Sequence, residues 1–179
     1  MKRNSLLTLL NTYTTSDKTE QTMCQEIKDF VNSNPECFER TLLSGHVTAS
    51  GWIVSEDRAQ VLLMHHRKLD RWFQPGGHCD GDSDVLEVAK KEVEEETGLQ
   101  SFKLVQEGIF DVDIHLIPAN SKDQAHYHYD IRFLFEAHPD QELVINIESK
   151  DVRWIRVQEI QNLNDSESIM RMVRKTTAL

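Results

Sequence analysis

Apolar residues in the first 45 positions recur at helical spacing. In the run Ser16 to Pro35, Met23, Ile27, Phe30 and Val31 share one face of a helix. Ser16 is placed to cap its start, and Asn34-Pro35 ends it. The opening MKRNSLLTLL is basic, then apolar only as far as Leu10, too short for an export signal or membrane span. It reads as an amphipathic helix. Residues 1–45 are therefore expected to form an N-terminal helical extension packed on a main domain at 46–179.

From His46 the period changes from helical to two. HVTASGWIVS and QVLLMHH predict two strands joined by a turn at Glu56-Asp57-Arg58, and RWFQ a short third. A glycine loop at Gly76-Gly77 precedes a helix ending at Gly98. In IFDVDIHLI, Phe110, Val112, Ile114 and Leu116 alternate with Asp111, Asp113 and His115. In HYHYDIRFLFEA, Tyr127, Tyr129, Ile131, Phe133 and Phe135 alternate with His126, His128, Asp130 and Arg132. DVRWIRV is a further strand. A last helix begins near Asp165, with Arg171, Arg174 and Lys175 suited to the negative end of its dipole. The strand-rich middle with one inserted helix predicts an α/β (α+β) sandwich with a mixed sheet, not a doubly wound fold.

The inserted helix is unusual. Val85, Ala89 and Val93 form its apolar stripe, flanked by Leu86 and Val88. Glu87, Lys90, Lys91 and Glu94 fall on the other side. Glu96 falls inside the apolar sector, Glu92 on its flank and Glu95 at its edge. Like charges at this spacing cost about 0.2–0.5 kcal/mol per pair when exposed. Unpaired buried carboxylates cost several kcal/mol each, on the order of a buried ion's desolvation penalty. A hard divalent cation, Mg²⁺ or Mn²⁺, would relieve all three, since oxygen-only donors favour such ions. A solvated acidic face accounts for Glu87 and Glu94 but not for Glu96. The helical wheel by itself leaves both readings open.

Composition narrows the partners. The 179 residues fit one compact domain with room for a small appendage, and 39% apolar with 28% charged residues is ordinary for a globular chain. A formal charge of −10 disfavours a nucleic-acid binder. Three cysteines, Cys24, Cys37 and Cys79, form no CxxC pair, so zinc and a disulfide framework are both unexpected. A reducing, cytoplasmic compartment is the natural expectation.

Upstream of the helix lies QPGGHCDGDSD. From Gly77 to Leu99 the chain resembles the Nudix box, with Gly77, Glu92, Val93, Glu95, Glu96, Gly98 and Leu99 at the required spacing. Two positions depart. Ser83 stands where the family has Glu, with Asp82 one place off, and Lys91 stands where it has Arg. Lys91 can pair with Glu95 at i, i+4. The resemblance implies a Nudix-like α/β/α sandwich and a Mg²⁺-dependent hydrolase of a nucleoside diphosphate linked to another moiety. It also implies metal ligation by Glu92, Glu95, Glu96 and the Gly77 carbonyl, and dimers are common in the family.

The remaining chemistry is less determined. A general base is expected at Glu148, in NIESKDVRW, or on the helix at Glu92 or Glu96. Arg67, Lys68 and Arg71 could grip phosphate oxygens, or form a charged turn. His78 could reach the substrate. His128 and Arg132 are expected to line its pocket, while His126 and His128 could instead bind a transition metal. Cys79 is expected to be a small filler, sensitive to oxidation. The polar loop within LIPANSKDQAHYHYD could form a substrate flap. Two alternatives remain. QPGGH is reminiscent of isoprenoid-diphosphate isomerases, although their catalytic Cys motif is not found. A non-catalytic nucleotide-sensing module is the other.

Overall fold

The computed structural model describes residues 2–119 and 124–179. The centre of the expected flap, residues 120–123, lies outside them. The chain divides into two compact units. One comprises Met1–Ala49, Gly77–Val88 and Gly108–Phe133; the other comprises Ser50–Gly76, Ala89–Glu107 and Leu134–Leu179.

Two helices open the first unit, α1 (Arg3–Thr12) and α2 (Lys18–Ser33). The cap of α2 is Asp17, whose carboxylate accepts from the Glu20 backbone N–H, so Ser16 is not the cap. Cys24, Ile27 and Val31 form the buried stripe of α2, and Phe30 stacks on Tyr129 with ring centroids 3.9 Å apart. The extension is thus joined to the strands of its own unit. Glu20, on the same helix, is fully buried. Its carboxylate accepts from the hydroxyls of Tyr13 and Thr15 and from the Val112 backbone N–H at 3.4 Å. Tyr13 also donates to the Phe110 carbonyl at 3.2 Å.

The strands are β1 (Gly45–Val54), β2 (Gln60–His66), β3 (Arg71–Phe73), β4 (Gly76–His78), β5 (Phe102–Leu104), β6 (Asp111–Ile117), β7 (His126–Ala137) and β8 (Ser149–Arg156). Hydrogen-bonded neighbours follow the order β3-β2-β1-β7-β5, with β4 on β1, β6 on β7 and β8 on β2. The expected glycine loop is therefore strand β4. The short strand β5, paired with β7, was not legible in the alternation.

In the second unit helices cover both faces of the strands. Neighbouring residues on a strand point to opposite faces. A Cβ on Gly51 would lie 2.5 Å from Val93 of α3 (Val85–Thr97), whereas the Trp52 indole donates to Thr176 of α4 (Glu167–Thr177) at 2.8 Å. This layering is that of the expected sandwich, in an α+β chain with a mixed sheet. It also explains why Gly51 and Trp52 are both buried. The helix α4 starts after Ser166, close to the expected position.

Candidate active site

Helix α3 has the expected phase. Asp84 caps it by accepting the Glu87 N–H at 3.2 Å, and Gly98 ends it with φ +75°. Asp82 is spent locally, accepting the Asp84 N–H at 2.9 Å. Val85, Ala89 and Val93 are buried, and Glu96 is buried with them at 7% exposure.

Glu96 is the electrostatic centre of the second unit. One carboxylate oxygen accepts the Gly76 N–H at 2.8 Å. Burial raises its pKa to about 8; the Gly76 N–H offsets this in part, and the charges of Glu92, Glu148 and Glu95 add to it. Of the three carboxylates expected toward the apolar face of α3, only Glu96 is buried. Glu92 is half-buried. Glu95 is exposed, its side chain 59% accessible and 3.7 Å from Lys91, so it does not turn toward the interior. Among the described residues the three carboxylates are not drawn together within the 4.8 Å that one other ligand set meets. Glu92 and Glu95 would have to swing about their side-chain bonds to share an ion with Glu96. An all-oxygen set around a carboxylate that resists ionisation suits a hard divalent cation.

Glu148 acts on Glu96 from an exposed turn before β8. Arg67 holds that turn. Its guanidinium donates to the carbonyls of Ile147 at 3.0 Å and Ser149 at 2.7 Å, and its backbone N–H to that of Glu148 at 2.8 Å. Arg67 is thus committed to positioning residues 147–149 and does not present a free phosphate grip. Arg71 is engaged too, donating to Asn164 and Asp165 at 3.0 Å each. Lys68 is exposed at the β2–β3 turn.

In the first unit, the polar alternations of β6 and β7 face each other. Their register pairs Asp111 with Arg132, Asp113 with Asp130, and His115 with His128. Arg132 is 3% exposed and contacts Asp111, Asp113 and Asp130 at 2.8–3.3 Å. Burial alone would lower its pKa, but the three aspartates raise it above the usual range. Arg132 is therefore an internal tie, not a pocket residue. Thr48 of β1 extends the tie by donating to Asp130 at 3.1 Å.

Five of the eight histidines continue this polar face: His46, His78, His115, His126 and His128. His78 and His128, expected at the substrate, instead meet His46, which the alternation of β1 gave no reason to single out. Burial and then repulsion among the rings lower His46 to about 4 and His128 to about 2. A Leu42 backbone contact that falls short of hydrogen-bond geometry offsets this only slightly at His46. Cys79 is 3% exposed, and burial, then the Asp130 charge, push its thiol far up. It is an inert filler and not oxidation-prone. No helix among the described residues is long and apolar enough to cross a membrane.

The model of the NUDIX domain matches residues 45–175. Among solved structures, a C. elegans Ap4A hydrolase binary complex superposes with TM-score 0.60 at 18% identity, over 74% of this chain and 95% of that one. The E. coli dihydroneopterin triphosphate pyrophosphohydrolase gives TM-score 0.56 at 16% identity, over 72% and 92% of the two chains. The NUDIX domain of Shewanella oneidensis NrtR, in complex with ADP ribose, gives 0.54 at 15%, over 86% and 97%. These likenesses carry the fold. No curated protein matches.

Proposed function

The chain belongs to the NUDIX family and is a NUDIX-type pyrophosphate hydrolase; from that premise we propose that it uses Mg²⁺ or Mn²⁺ to hydrolyse a phosphoanhydride in a nucleoside diphosphate linked to a second moiety. The observation that carries this reading is Glu96: a buried carboxylate, held by the Gly76 N–H, whose ionisation three further carboxylates oppose. Such a group is stable as an anion only beside a cation. In this reading Glu92, Glu95 and Glu96 supply the metal's oxygens together with the carbonyl of Gly77, the residue after Gly76. A bound divalent ion would neutralise diphosphate charge and acidify a water.

Glu148 is the general base in this reading, because its charge reaches Glu96 and Arg67 fixes the turn that carries it. Its carboxylate takes a proton from the attacking water. The water oxygen bonds to phosphorus, and the bridging P–O bond breaks with its electron pair leaving on the departing phosphate. Lys68, on its exposed turn, is the cation left to meet phosphate oxygens, since Arg67 and Arg71 are engaged elsewhere. Cys79, buried and far from ionised at neutral pH, supplies no catalytic thiol for the isomerase alternative.

The test is hydrolysis of a panel of dinucleoside polyphosphates, nucleoside diphosphate sugars and nucleoside triphosphates with Mg²⁺ or Mn²⁺, products identified by mass. The expected result is cleavage into two phosphorylated products, one gaining ¹⁸O from labelled water. A product of unchanged mass would mean isomerisation. Tight nucleotide binding without turnover, indifferent to Glu95→Gln, would make the protein a sensor.

A further inference from the structure

Three imidazoles in the first unit turn toward one point. His46 comes from β1, His78 from β4 and His128 from β7. Their ring centroids form a nearly equilateral triangle, at 4.9 Å for His46–His78, 4.8 Å for His46–His128 and 5.0 Å for His78–His128. One ligand nitrogen from each lies within 4.8 Å of the other two. No other group of three or more His, Cys, Asp or Glu ligand atoms among the described residues is drawn together this way.

Two of these rings carry buried polar atoms left unsatisfied, His46 as a buried residue and His128 as a half-buried one. His46 is 2% exposed, and neither of its ring nitrogens meets a hydrogen-bond partner among the described residues. The Nε2 of His128 is in the same condition. A buried donor or acceptor left unmade costs about 1–3 kcal/mol. Native proteins rarely gather several such atoms at one place without an occupant that satisfies them. An ion accepting one lone pair from each ring would do so.

We propose that His46, His78 and His128 form a binding site for a transition-metal ion of the zinc class, chemically distinct from the oxygen donors on α3. Imidazole nitrogens suit Zn²⁺, Co²⁺, Ni²⁺ and Cu²⁺, while hard Mg²⁺ and Ca²⁺ prefer oxygen. Tetrahedral Zn–N bonds of about 2.0–2.1 Å put ligand nitrogens roughly 3.3 Å apart. Modest ring rotations from the observed separation reach that. Three histidines leave a fourth coordination position open, the arrangement of reactive and exchangeable zinc sites. His126 stacks on His46 at 5.1 Å, and His115 lies 5.4 Å from His128, so two further rings adjoin the trio. His115 is in turn within 3.3 Å of Asp113, the kind of carboxylate partner that orients ring nitrogens around metals. Such an ion pins β1, β4 and β7 together at their polar face. The sparse cysteines argued against zinc; the histidines supply what cysteine does not. The proposal stands apart from the hydrolase reading and can hold if that reading fails.

The experiment is a Co²⁺ titration of chelator-treated full-length protein in the presence of excess Mg²⁺. The expected result is one equivalent of intense visible absorption characteristic of tetrahedral nitrogen ligation, bleached by Zn²⁺, with a Zn²⁺-dependent rise in melting temperature. His78→Ala, at a half-buried position, should abolish the absorption and weaken Zn²⁺ binding by at least on the order of 10- to 100-fold. It should keep its metal-free melting transition, which separates lost ligation from lost folding. His138→Ala, on the exposed surface, should change neither. A pale octahedral spectrum, binding displaced by Mg²⁺, or binding unchanged in both His78→Ala and His128→Ala would overturn the proposal.

Discussion

Replacing Glu96 by Gln isolates the cost of its charge. The amide oxygen can still accept the Gly76 N–H, so shape and hydrogen bond survive while ionisation is removed. In the metal-free protein, burial raises the Glu96 pKa from 4.5 to about 8. Below pH 4.5 folded and unfolded chains both hold the proton, and the charge costs nothing. Between pH 4.5 and 8 the unfolded chain ionises while the folded one stays protonated, so stability falls as pH rises. The slope is about −1.4 kcal/mol per pH unit, and the total reaches up to about 4–5 kcal/mol at pH 8. The Gln variant lacks this slope. Urea unfolding of chelator-treated wild type and Glu96→Gln from pH 5 to pH 8 measures it, read as the difference between the two curves. The variant should gain on wild type steadily across that range while losing turnover. Added Mg²⁺ should narrow the gap by stabilising wild type alone, by about 2.7 kcal/mol at 100 times its Kd. Parallel pH curves, or a variant less stable than wild type at pH 8, would refute the reasoning.

Glu148→Gln should lower kcat roughly 100- to 10,000-fold with little change in KM, if it takes the proton; steady-state kinetics decides it. Arg67→Gln should reproduce part of that kcat loss by loosening residues 147–149, while leaving metal affinity, measured by calorimetry, intact. Arg132→Met should destabilise by about 3–5 kcal/mol, since three buried aspartates lose their cation; chemical denaturation reads this directly. Gly51→Ala should cost about 1–3 kcal/mol, because a Cβ there meets Val93 at 2.5 Å and Phe135 at 3.0 Å.

Local periodicity foretold the helices, and most strands, because burial on one side imposes it. Helix α3 was legible to its last turn, and with it the placement of Glu96. The exposure of Glu95 was not legible, because an edge position on a wheel does not say how far the neighbouring strands reach. Arg132 and the histidines failed for a related reason. Alternation tells which face a residue shares, not what covers that face. Only the register of β6 on β7, with β1 and β4 alongside, brings three aspartates to Arg132 and three rings to one point. Asp82, one place from the family's glutamate, accepts the Asp84 N–H at the start of the helix, a local use that spacing alone does not reveal. Nothing in the local pattern singles out Glu20. Its partners come from Tyr13, Thr15 and Val112, at separations no local pattern encodes.

The tie around Arg132 also restricts how the sequence can drift. Loss of the one guanidinium among Asp111, Asp113 and Asp130 leaves three carboxylates inside the fold without it. A loss of about 3–5 kcal/mol is comparable with the whole margin of about 5–15 kcal/mol that keeps a domain folded. Arg132 is thus the member of the four that a single substitution can least replace.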